Sequence, residues 1–143
     1  MQRQFLSAGA NNFARLALGL QLDLGEKRSR ELAHFHCERA AAALAADGAD
    51  AAKAATEAIA LAIEADPEHP RPWLMRGELA LRNDKPEQAL EAWERMLELS
   101  PAHASLIAVS WLEASRRAGR LDEGLARLEA IAASAPSIDV FRA

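Results

Sequence analysis

The chain lacks tyrosine altogether and has a single cysteine, Cys37. One thiol cannot close an internal disulfide, which points to a reducing compartment and to a fold that needs no covalent staple. No signal peptide is visible, and no apolar run approaches the roughly 20 residues needed to cross a bilayer. The stretch from Phe13 to Leu24 is apolar but short, and Arg15, Gln21 and Asp23 interrupt it. It reads as a buried helix. Glycine-rich phosphate loops, nucleophile elbows and paired-cysteine zinc motifs are all missing. The net charge is −4 with both signs mixed along the chain, so a surplus of cations for neutralising nucleic-acid phosphates is absent too. Arg116, Arg117 and Arg120 cluster, but at a helix end, where cations suit the helix dipole.

What the chain has is alanine. Runs such as Arg39-Ala40-Ala41-Ala42-Ala43-Leu44 lose no side-chain entropy in a helix, and β-branched residues are few. The expected class is all-α. A spacing then organises the helices. Ala55 and Pro67 recur as Ala89 and Pro101, 34 residues later, and Pro136 follows after 35 more. A period of this size marks a helix-hairpin array.

The unit from Pro70 to His103 is the clearest. Its first helix starts near Pro72, where a missing N–H costs nothing. Trp73, Gly77, Ala80 and Leu81 then share a face. Asn83-Asp84-Lys85-Pro86 turns the chain. Ala89, Leu90, Trp93, Met96 and Leu97 form the buried stripe of the second helix, and Ser100-Pro101 stops it. The preceding unit places a first helix at about Glu31–Ala46, a turn at Asp47–Asp50, and Ala55, Ile59 and Ala62 on a second helix. The following unit carries Trp111 and Ala114, turns at Ala118-Gly119-Arg120-Leu121, then uses Gly124, Leu128 and Ile131. Gly9, Ala14 and Leu18 read as the turn, small and large positions of an earlier, partial unit. The expected division is a partial repeat over 1–28, repeats over 29–69, 70–103 and 104–137, and the start of another over 138–143. The incomplete ends suggest a piece of a longer array.

Trp73, Gly77, Ala89, Trp93 and Pro101 resemble the tetratricopeptide repeat at matching intervals. That resemblance implies a right-handed α-solenoid in which the first helix of each hairpin lines a concave face. On that face stand Arg71, Leu74, Glu78 and Arg82, and then Leu106, Val109, Glu113 and Arg117. Together they make a mixed apolar and charged groove suited to a helix or an extended peptide. Some tetratricopeptide domains clamp a C-terminal carboxylate with Lys and Asn. Leu74 and Glu78 stand at those positions here, and Glu78 would repel one.

Arg30-Glu31-Leu32-Ala33-His34-Phe35-His36-Cys37-Glu38, with Gly77–Leu81 and Gly119–Leu125, is similar to the repeat region of the lipopolysaccharide assembly protein B family. His36 departs from the aromatic residue usual there. The resemblance implies a cytoplasmic, non-catalytic adaptor. In that family a membrane anchor precedes the repeats and a zinc module follows them. Its partners would be a membrane protease and the deacetylase that commits precursors to lipid A. Two alternatives stay open: the non-catalytic arm of an enzyme such as a glycosyltransferase, and a self-associating assembly module. No cofactor or metal is expected. His34 and His36 point some 200° apart on a helix and cannot readily share an ion, so His34-Phe35-His36-Cys37 reads as packing.

Overall fold

The computed structural model describes the backbone of residues 2–134, and the side chains of residues 15–20 and 23–134. Among these the fold is all-α, with no strand. Six helices follow one another: α1 Gln2–Ala45, α2 Ala49–Ala65, α3 Pro70–Arg82, α4 Pro86–Leu99, α5 Ala104–Arg117 and α6 Leu121–Ser134. A single 3-10 turn, Pro101–His103, leads into α5. Each helix packs on its neighbours in the chain, and α1 also touches α3.

The largest departure from expectation is α1. No turn forms at Gly9: the helix runs unbroken for 44 residues, about 66 Å at 1.5 Å per residue. The first helix expected over Glu31–Ala46 is only its C-terminal part. The first proline of the chain is Pro67, so nothing sterically ends a helix before that point. Glycines within a helix cost only about 1 kcal/mol each. The expected burial of the Phe13–Leu24 stretch also fails. Leu16, Leu18, Leu20 and Leu24 are all more than half exposed, because no other described helix lies beside them. The side chains of Phe13 and Ala14 lie outside the described residues, as do Pro136 and the start of a further repeat over 138–143.

The turns of the last two helix pairs are copies of one another. Asp84 (φ 57°) and Gly119 (φ 73°) both occupy the left-handed region. Lys85 N–H donates to the Ala80 carbonyl, and Arg120 N–H to that of Ser115; Asp84 N–H donates to Leu81, and Gly119 N–H to Arg116. This is the Schellman arrangement, which satisfies carbonyls that a helix end leaves orphaned. The first pair turns at Gly48, with φ 110°, a conformation that L side chains rarely adopt.

Two clusters make the core. Cys37 and Ala40 of α1, Ala55, Ala58, Ile59 and Ala62 of α2, and Met75 and Leu79 of α3 form the first. Ala80, Ala89, Trp93, Met96 and Leu97 join Ala104, Ile107, Trp111, Ala114, Leu128 and Ile131 in the second. Helix α3 therefore serves both clusters and is the seam between them. The stripe expected on α4 is buried except for Leu90, which is half-buried; Ala92 takes its share.

Gly77 and Gly124 mark close packing. A Cβ on Gly77 would fall inside the Trp93 indole, and one on Gly124 would collide with Ser115. The indoles are anchored as well. Trp93 Nε1 donates to the Leu74 carbonyl at 3.2 Å, and Trp111 Nε1 to the Gly124 carbonyl at 3.0 Å. Trp73 is half-buried. Its Nε1 donates to the Pro67 carbonyl, and the Arg76 guanidinium lies 5.1 Å from its ring.

Candidate interaction surface

The residues expected to form a concave face separate into two kinds. Four are tied into the structure. Arg71 donates to Glu38 of α1 at 2.7 Å and holds that carboxyl below its ordinary pKa. Arg82 donates to the Leu44 carbonyl at 2.8 Å, so both arginines fasten α3 to α1. Arg117 and Arg116 both grip Glu113, whose carboxyl their hydrogen bonds lower to about 2. Arg117 also lies 3.8 Å from Asp84, in the turn of the preceding pair.

The other four are Leu74, Glu78, Leu106 and Val109. Leu74 is only half-buried and packs against the second core cluster. Glu78 is exposed, yet the protein around it desolvates its carboxyl and raises its pKa, against the opposing pull of Arg82. Leu106 is 64% exposed and Val109 83% exposed, the barest described large apolar side chain in the last four helices. They stand 35 residues beyond Arg71 and Leu74, at the equivalent places on α5.

Two clefts escaped the sequence reading. One, of about 460 Å³, lies among α2, α3 and α4 and is lined by Thr56, Trp73, Arg76, Asn83, Gln88 and Glu91 among others. The spacing of Trp73 and Arg76, three apart on one helix, was its only sequence signal. The other, of about 890 Å³, lies between Gly25–Arg30 of α1 and Ala65–Glu68 at the end of α2. It depends on the unbroken α1 and had no signal.

Of the tempting His34–Cys37 run, His34 is exposed and Cys37 is fully buried, with burial pushing its thiol up. Among the described residues no group of three His, Cys, Asp or Glu side chains is placed to hold a metal ion. No helix among them is long and apolar enough to cross a membrane.

Comparison of the chain with protein-family models, with curated proteins and with solved structures finds no match.

Proposed function

We propose that the chain is a non-catalytic protein-binding scaffold whose helix pairs are successive tetratricopeptide repeats of an α-solenoid. The recurring turn at Asp84 and Gly119 supports the repeat architecture. The observation that carries the binding role is the apolar pair Leu106 and Val109, bare on α5. The Arg71–Glu38 pair and the bond from Arg82 to the Leu44 carbonyl fasten α3 to α1, and Arg117 of α5 reaches Asp84 in the turn after α3, so a ligand would meet a preorganised face.

On the resemblance of Arg30–Glu38, the most specific form of this reading is a cytoplasmic adaptor. It would bind the deacetylase that commits precursors to lipid A and present it to a membrane protease. The test is direct binding of the purified chain to that deacetylase by fluorescence anisotropy. The comparison variant is Leu106→Lys/Val109→Lys, which adds charge at exposed positions and leaves the core untouched. The reading expects saturable binding that the double variant weakens at least about tenfold, since each apolar anchor is worth on the order of 1.5 kcal/mol or more. Binding that the variant leaves unchanged sinks the face; no binding by the parent chain sinks the adaptor.

A further inference from the structure

The fold forms two equivalent clefts and fills them differently. The first, of about 460 Å³, lies among α2, α3 and α4; the second, of about 340 Å³, lies among α4, α5 and α6, and Glu91 lines both. Arg76, Lys85, Gln88 and Ala92 of the first are answered 35 residues on by Trp111, Arg120, Glu123 and Arg127 of the second. The second cleft is satisfied by its own side chains. The Trp111 indole is buried, and Arg127 reaches from α6 to α4, where Glu94 receives it with both carboxylate oxygens. Glu87, Glu91 and Glu123 add further negative charge there.

The first cleft lacks that closure. Ala92 stands in the place of Arg127, and among the described residues no ion pair joins α4 to α2. Arg76 and Lys85 line it against Glu91, and among the described residues neither cation is in an ion pair. The Arg76 guanidinium lies 5.1 Å from the Trp73 ring. Stacking on a ring positions a guanidinium and leaves its N–H donors for another partner. Asn83 and Gln88 bring exposed amides to the cleft, while Leu79, Ala80 and Ala92 are buried and give it an apolar floor.

We infer that this cleft takes an acidic peptide segment, in which one carboxylate side chain neighbours an apolar one. The carboxylate pairs with Arg76 as Glu94 pairs with Arg127 in the second cleft. Lys85 adds a second cation, and Glu91 limits the excess to a single charge, which suits a carboxylate better than a doubly charged phosphate. The apolar side chain covers the floor. The amides of Asn83 and Gln88 each offer a donor and an acceptor, as an extended backbone requires. The volume is that of a small-ligand site, enough for a few residues. At 100° per residue, Trp73, Arg76 and Ala80 lie on the side of α3 opposite Arg71, Glu78 and Arg82. The site is therefore separate from the proposed ligand face and does not depend on it.

Nuclear magnetic resonance of the isotope-labelled chain, titrated with capped tetrapeptides, tests it. The probes pair leucine or phenylalanine with glutamate or aspartate in both orders; matched peptides carry glutamine or asparagine instead. Trp73 lines the cleft, whereas Trp93 and Trp111 are buried. Acidic peptides should therefore shift the Trp73 indole N–H signal, saturably, and leave the other two indoles unmoved. The amide peptides should bind at least about fivefold more weakly. Arg76→Gln should weaken the acidic peptides by at least about fivefold and abolish their advantage. Arg120→Gln, at the matching place in the second cleft, should change nothing. Both arginines are exposed, so the variants should keep the parent melting temperature. An unmoved Trp73 signal, equal binding of acidic and amide peptides, indifference to Arg76→Gln, a loss with Arg120→Gln, or free N-acetylglutamate binding as tightly as the peptides would overturn the inference.

Discussion

The pairs α3/α4 and α5/α6 share a backbone and invert its filling. In α3/α4 the glycine stands on the first helix and the tryptophan on the second: Gly77 under Trp93. In α5/α6 the tryptophan stands on the first helix, Trp111, and the glycine on the second, Gly124. Either way one indole crosses to the facing helix and donates to its backbone, and a missing Cβ makes room. The turn and the volume of the pair are what the fold requires. Which helix supplies the large residue is free, provided that the other gives way.

The sharpest way to break the comparison is to fill the two glycines. Gly77→Ala pushes a methyl into an indole that is fully buried and has nowhere to go. It should cost about 3 kcal/mol or more in urea denaturation. Gly124→Ala meets a serine side chain instead, and Ser115→Gly should restore most of its loss. Combining Gly77→Ala with Trp93→Leu should cost clearly less than the two single losses added together. Strict additivity would mean that glycine and indole are not one packing unit.

Next in size are the turns. Asp84 is a non-glycine residue in the left-handed region, where Gly119 stands in the neighbouring pair. Asp84→Gly should stabilise by up to about 1 kcal/mol, and Gly119→Ala should destabilise by a similar amount. The exposed contact of Asp84 with Arg117, at 3.8 Å, offsets little. Equal melting temperatures for parent and Asp84→Gly would remove strain from the account.

The smallest effects are electrostatic. The His69 ring nitrogen accepts from Arg71 N–H at the start of α3, and burial lowers its pKa. The folded state therefore binds that proton less readily than the unfolded chain. This contribution is present above about pH 6.5 and fades as pH falls below it. His69→Asn keeps a cap without a titrating group, so its stability should change less between pH 7 and 5 than that of the parent. Glu113 behaves alike in a lower window: with its carboxyl brought to about 2, its contribution is intact above pH 4.5 and is lost as pH falls from there toward 2. Glu113→Gln should flatten that limb of the stability curve. At neutral pH, Leu106→Lys/Val109→Lys should alter stability by less than about 0.5 kcal/mol, because both side chains already face water.

The same pairs show what a sequence can disclose. Period and residue volume located Ala55, Ile59, Gly77, Ala89, Trp93 and Gly124, because close helix approach admits few residue types. Met75 and Leu79 were not foreseen, since they pack toward α1 and α2 rather than within their own pair. The ties of Arg71 to Glu38 and of Arg127 to Glu94 each reach back 33 residues. No local pattern marks such a reach, so nothing in the sequence signalled that Arg71 and Arg82, expected on a ligand face, also fasten α3 to α1. The turn expected at Gly9 failed for a related reason. At Gly48 and Gly119 a positive-φ backbone and a returning helix make the turn; at Gly9 the helix runs straight on, and glycine alone does not end a helix.

The lone cysteine carries a consequence of its own. Cys37 lies fully buried where α1, α2 and α3 meet, and its thiol is held protonated by that burial. It can react with a thiol reagent only while the seam is parted. The rate of its modification in the native protein therefore counts how often the junction of α1, α2 and α3 opens, as amide exchange counts openings of the backbone. The chain carries a built-in clock for the opening of its own seam.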